Sequence, residues 1–189
     1  MTRRPKLRRL CAAAQLAFLA AAPAQAGQLA IQNGKPCAIS VAGHIEDGDD
    51  KVFHDLAAAC PNALVVLTGP GGLVAPALAI GRKIHARGLR TLVPAGASCA
   101  SACSLIWLAG MQRLLGTGAR IGFHALSAAR PGEAPAETHS SDPELVRTLT
   151  EFGYASDVTA TIVNTPSVLV HWRDMIELNA NGIATQPYP

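Results

Sequence analysis

Aromatic side chains make up only 4% of the 189 residues, and charged ones only 15%. Recognition of nucleic acid needs a basic stripe, often with aromatics set into it. Beyond residue 26 there is no such stripe, so no nucleic-acid partner is expected. The chain also lacks an apolar run of the roughly 20 residues that cross a bilayer. Its small or apolar stretch from Leu10 to Ala22 is interrupted at Gln15 and is too short for a stable membrane anchor. No internal repeat is visible, and no His or acid stands at a ligand-like spacing from Cys99 and Cys103. No metal or other cofactor is therefore expected.

What is present begins with MTRRPKLRR, which carries five positive charges and no acid. The apolar stretch follows, and Ala24-Gln25-Ala26 then offers a small-x-small cleavage site. A basic start, a short apolar segment and such a site are the parts of a secretory signal. Cleavage after Ala26 is expected, which takes Cys11 away and leaves a periplasmic or secreted product. Arg3-Arg4 hints at twin-arginine export, but the residues that follow fit that pattern poorly.

Removal of residues 1–26 takes five of the 16 basic residues and none of the 13 acids, so the formal charge moves from +3 to about −2. The 163 residues left, 27–189, suit a single domain with a sizeable core. Four cysteines remain, Cys37, Cys60, Cys99 and Cys103. In an oxidising compartment they favour disulfides over zinc, although spacing alone does not fix their pairing.

Cys37 to Val41 reads as a short strand and Gly43 to Asp50 as a turn-rich loop. Lys51 to Ala59 has helical spacing, with Val52, Leu56 and Ala59 on one face, and Pro61-Asn62 stops it. Ala63 to Leu67 is a continuous apolar run of the kind covered on both faces in a parallel sheet. A tight glycine turn is expected at Thr68 to Gly72, then a helix over Leu73 to Arg87 closed by Gly88, then a strand at Leu89 to Val93. Alternating strands and helices with short glycine turns imply an α/β fold with a mostly parallel sheet and right-handed crossovers. Adjacent parallel strands starting near Cys37 and Cys60 would bring those two together, which makes them the preferred disulfide.

Ala95 to Ala100 is too small and glycine-rich for a strand. Ser101 to Ala109 is apolar nearly all round and predicts a buried helix, closed by Gly110. Arg113 to Leu115 and Ala119 to Phe123 predict two further strands. Ser127 to Ser141, rich in Ala, Pro, Ser and Glu, predicts an exposed loop. Ser141 to Glu144 has capping-box spacing and opens a helix toward Asn164, and residues 167–184 form a last small unit.

A serine hydroxyl attacks a carbonyl only when a base removes its proton and donors receive the negative charge that develops. Ser101 opens a helix, where backbone N–H groups lack intrahelical partners. The same position suits an ordinary capping serine. Gly69-Pro70-Gly71-Gly72 follows a buried strand, at the sheet edge where ligand sites of open α/β folds form. Phe123-His124 ends a later strand.

Taken in order, Gly69-Pro70-Gly71-Gly72, Ser101 with Gly110 nine residues on, Arg113, and Phe123-His124 resemble the proteolytic subunit of Clp protease and the wider Clp/crotonase-like superfamily. A closer similarity is to a branch of exported bacterial proteins that share a Cys-x-Ser-Ala-Cys segment and a Gly-Phe-His strand end. The resemblance covers roughly residues 38–126, with a weaker echo at Trp172 to Ala184. It implies a ββα-superhelix with a buried nucleophile helix. Position by position, it makes Ser101 the nucleophile and His124 the general base, with the N–H groups of Gly71 and Ala102 as the oxyanion hole. Residue type alone does not single out His124 from six histidines.

The family's aspartate would fall near Thr165 to Val168, where this chain has no acid, so Asp174 and Asp157 are the nearest substitutes. A second departure is the pair Cys99 and Cys103, which flanks the nucleophile. A bridge between them would pin the serine turn; the alternative is a reactive thiol at the helix start. The family's axial segment and ring-joining helix have no clear counterpart, so barrel assembly is not implied, and homo-oligomerisation is left open. The leading expectation is an exported, peptidase-like serine hydrolase acting on a peptide or small molecule. The alternatives are a non-catalytic domain binding such a ligand in the glycine-lined cleft, and an acyl-thioester enzyme, which export disfavours because coenzyme A is scarce outside the cytoplasm.

Overall fold

A computed structural model describes residues 27–32, 34, 37–125, 143–164 and 169–189. The expected signal, the loop at 127–141 and the Ser141 capping box lie outside them. In chain order the elements begin β1 (Gln28–Gln32), β2 (Ala38–Ile45), α1 (Asp49–Ala59), β3 (Leu64–Gly72), α2 (Val74–Ala86) and β4 (Arg90–Val93). Then come β5 (Ser98–Ala100), α3 (Ala102–Leu108), β6 (Arg113–Gly116) and β7 (Arg120–Phe123). The last are α4 (Pro143–Glu151), α5 (Ser156–Val163), β8 (His171–Arg173), α6 (Met175–Ala180) and β9 (Thr185–Tyr188).

The strands form one curled sheet in the order β8-β7-β5-β3-β4-β6-β9, with β2 also beside β3 and β1 on β2. Pairing is parallel except for β1 with β2 and β7 with β8. The expected α/β class with a mostly parallel sheet is therefore present. β3 turns the sheet: its first half pairs with β4, through Leu64 to Val66, and its end pairs with β5, through Gly69 and Cys99. Val65 and Leu67 are fully buried on one face, while Leu64 joins Leu92 and Leu114 in a second cluster on the other. That two-sided burial explains the unbroken apolar run.

β3 also shows the first departure from expectation. The segment read as a glycine turn continues the strand through Gly72, alongside His44 and Ile45 of β2. A Cβ on Gly69 would stand 2.3 Å from Gly43 O, and one on Gly72 would stand 2.3 Å from Ile45 O. The glycines are there because β2 passes too close for a side chain, not because the chain reverses. β5 is the second departure. Its residues are small because they are crowded between β3 and β7, with Cys99 fully buried and Ala100 nearly so. The single helix expected toward Asn164 is instead α4 and α5, interrupted where Gly153 takes φ 87° and Tyr154 N–H returns to Leu149 O. β1 and β9 were not foreseen.

The core lies between the sheet and α1, α2 and α3. All seven residues of α3 are buried, Trp107 among them, as its uniformly apolar sequence requires. α2 approaches α3 closely at Gly81, whose absent Cβ would stand 3.2 Å from Phe152 and 3.4 Å from Ala109. Cys37 and Cys60 are disulfide-bonded, as preferred, joining the chain before β2 to the end of α1 across 23 residues. Cys99 and Cys103 form the second bridge.

Two stability measurements follow from this frame. Gly69→Ala should lower the unfolding free energy by about 2–3 kcal/mol, read from the urea midpoint, because neither its φ nor the Gly43 carbonyl leaves room. Replacing Cys37 and Cys60 together by Ala should cost roughly 3 kcal/mol through the freed loop, with denaturant unfolding as the check.

Candidate active site

β5 ends at Ala100, α3 begins at Ala102, and Ser101 makes the turn between them. Ser101 has φ 55° and ψ −127°, and it is the sole non-glycine with positive φ among the described residues. Such a conformation costs about 1–3 kcal/mol and persists only where its surroundings impose it. Ser101 N–H donates to Gly122 O at 2.9 Å. Ser101 O accepts from Ser104 N–H at 2.9 Å and from Ser104 Oγ at 2.6 Å. Cys99 and Cys103 close a bridge around the turn. The Ser101 side chain makes no capping bond to the helix, so the ordinary reason for a serine at this position does not apply.

β7 lies parallel to β5, with Ala100 opposite Gly122, so Ser101 and His124 leave the carboxyl ends of neighbouring strands. Both are half-buried. His124 Nδ1 lies 2.7 Å from Ala125 O. A carbonyl only accepts, so Nδ1 carries a proton, and in the neutral ring Nε2 is the acceptor. A backbone carbonyl thus stands behind the imidazole. No hydrogen bond joins Ser101 to the ring among the described residues.

Asp174 is not brought to His124. Its carboxylate accepts from Glu177 N–H at 2.9 Å while Glu177 reaches back to Asp174 N–H, a complete capping box on α6. The antiparallel register of β8 on β7 places Asp174 beyond Arg173, which faces Ile121, at the far end of the strand from His124. At about 3.3 Å per residue the two are separated by more than 10 Å. Asp157 is exposed in the first turn of α5, where it accepts from Val158 N–H. Residues 165–168, where the resemblance would put an acid, lie outside the described residues.

Gly71 packs directly under the turn: a Cβ there would stand 2.6 Å from Ser101 Cβ and 2.8 Å from Ala102 N. Leu73 N–H donates to Ile45 O across β2, and the register sets Ile45 opposite Gly72. Ala102, first in its helix, has no intrahelical partner for its own N–H.

Beside the turn is an open groove of about 660 Å³, whose walls include Thr68, Pro70, Ala97, Ala100, Val170 and Trp172. The wall is mostly apolar. Arg120 stacks on Trp172, its guanidinium 5.2 Å from the ring centroid. Sequence reading passed over Val170 and Trp172 apart from the weak family echo, because only the return of β8 onto β7 brings them here. Gly122 permits that return, since a Cβ on it would meet Val170 at 2.6 Å and Trp172 at 3.0 Å.

The other end of α3 is tied down. Tyr154 Oη donates to Leu108 O at 2.8 Å, Arg113 Nη1 to Gly110 O at 2.7 Å, and Thr91 Oγ1 to Trp107 O at 2.8 Å. Arg113 also lies over the Tyr154 ring, 5.6 Å from its centroid. Burial pushes the Tyr154 phenol up to about 12, with Arg113 pulling the other way.

No family model and no curated protein matches the sequence. Among solved structures the chain is similar to the 1510-N membrane-bound stomatin-specific protease, in a serine-to-alanine mutant form. The TM-score is 0.59 over 79% of this chain and 77% of that one, at 16% sequence identity. The fold is shared with a protease.

Tyr154→Phe should cost about 1 kcal/mol at neutral pH, by loss of the bond to Leu108 O. The raised phenol value means that its contribution is fully present below pH 10 and lost as pH rises toward about 12. Urea unfolding from pH 9 upward should therefore show a steeper fall in wild type than in the Phe variant.

Proposed function

We propose that the chain is an exported, peptidase-like serine hydrolase with a Clp/crotonase-like site, in which Ser101 is the nucleophile and His124 the general base. The observation that carries this reading is Ser101 itself. It occupies a conformation that L-residues avoid, with its hydroxyl released from capping, beside a histidine whose Nε2 is left as an acceptor. Strain of this kind clusters at active sites.

In this reading Ser101 Oγ attacks the substrate carbonyl as its proton passes to His124 Nε2. The negative oxygen is received by the N–H groups of Gly71 and Ala102, which lie together at the Ser101 turn. The imidazolium then gives its proton to the leaving group, and water releases the acyl chain by the same steps. Ala125 O replaces the usual carboxylate. It keeps the correct tautomer but is neutral, so it stabilises the imidazolium less than an aspartate would. The hydroxyl and ring must close into a hydrogen bond when substrate enters, as catalytic contacts in empty sites often do. The apolar groove suits an uncharged peptide segment.

Export is supported by the signal-like first 26 residues and the two disulfides. Among the described residues no helix is long and apolar enough to cross a membrane. A second reading, a non-catalytic domain that holds a peptide or small molecule in the same groove, is favoured by the missing acid and the unmade Ser101–His124 bond.

A fluorophosphonate probe separates the two. Wild type should label, Ser101→Ala should not, and His124→Ala should label about 10²–10⁴-fold more slowly. Equal labelling of wild type and Ser101→Ala would sink the hydrolase and leave the binding domain.

A further inference from the structure

We infer that Cys99 and Cys103 are positioning residues, whose disulfide latches the Ser101 turn so that hydrolytic competence is acquired only when those thiols are oxidised. The inference rests on the hydrolase reading and adds a condition to it.

Cys99 sits in β5 and Cys103 in α3, with Ser101 midway, and their Cα atoms are 5.3 Å apart. The bridge closes a short ring around the one non-glycine residue of the described chain with positive φ. The rest of the ring is held by hydrogen bonds to backbone carbonyls. Ser98 to Ser104 are all small, and the Ser101 side chain makes no cap. A chain with free thiols keeps the bond from Ser101 N–H to Gly122 O and those from Ser104 to Ser101 O, but loses the covalent closure. Relaxation of Ser101 to negative φ would then swing its hydroxyl and the following Ala102 N–H together, away from His124 and Gly71.

The other bridge has a different place. Cys37 O accepts from Leu64 N–H at the opposite end of β3 from Gly71, so Cys37–Cys60 holds the frame without touching the turn.

Burial sets when the latch closes. Cys99 is 0% and Cys103 2% exposed, so an exchange partner cannot reach the sulfurs once α3 has docked. Oxidation must precede or accompany docking. One thiolate attacks an exchange-reactive protein disulfide, and the second displaces that protein from the mixed disulfide. The two cysteines lose two protons and two electrons, and the partner leaves as a dithiol. A thiol-reducing cytoplasm opposes this exchange and an oxidising compartment drives it. The precursor is thus latent where it is made and competent where it is delivered.

The full chain is refolded from denaturant in a glutathione redox buffer and, separately, in dithiothreitol. Fluorophosphonate labelling rate, melting temperature and free-thiol count are read for each. Oxidised wild type should label, and the reduced chain should label about ten-fold or more slowly. Cys99→Ala/Cys103→Ala should show the same loss with Cys37–Cys60 intact, and with a small activated ester the loss should fall on kcat, leaving KM within about two-fold. Cys37→Ala/Cys60→Ala should melt lower yet keep its labelling and its dependence on oxidation. Should the first variant not fold, Cys99→Val/Cys103→Ala refills the buried volume and is measured in its place. Labelling of that variant at the oxidised wild-type rate overturns the latch alone. An oxidised wild type that does not label overturns the hydrolase reading and the latch with it.

Discussion

A helix buried on every side must find protein partners for the polar groups at its ends, and α3 is such a helix. Its carboxyl end is satisfied by three side chains from three different parts of the chain: Tyr154 after α4, Arg113 at the start of β6 and Thr91 in β4. Tyr154 and Arg113 also touch one another. Anchored in this way, α3 presents its amino end at one fixed place on the sheet edge. Ser101 turns there, and the polar groups that remain without helix partners are gathered where β3, β5 and β7 end.

That gathering depends on strands coming closer than side chains allow. β3 runs against β2 through Gly69 and Gly72 and beneath the Ser101 turn through Gly71. It also passes from pairing with β4 to pairing with β5, which curls the sheet and brings its backbone under Ser101. Gly122 does the same on the far side, admitting Val170 and Trp172 to the groove wall. The site is mostly backbone, framed by a few side chains.

Much of this was legible before any coordinate. The apolar run at 63–67, the helices around residues 51–59 and 73–87, and the buried helix after Ser101 each carried a periodicity or burial pattern that the structure repeats. Cys37 and Cys60 followed from the parallel strands. Glycine misled. Gly69 to Gly72 signals a turn when read locally, yet here it answers contacts with β2 and Ser101 that no local window contains. Small residues at 98–100 likewise looked unfit for a strand because their crowding is tertiary. Among site residues, Ser101 was visible as a helix start, whereas His124 needed the family pattern. Asp174 had the right chemistry, but it lies at the wrong end of β8 and caps α6. The carbonyl behind the imidazole left no signal, since every residue has one.

A site walled by glycine on one flank leaves a lineage little freedom there. At Gly69, Gly71 and Gly72 any added carbon meets backbone or the Ser101 turn, so selection has no side chain to vary. Val170 and Trp172 stand opposite, immediately before the short edge strand β8 and within it, and both are partly open to solvent. Divergence in what the groove accepts is thereby channelled to that wall, while the glycine flank stays unchanged.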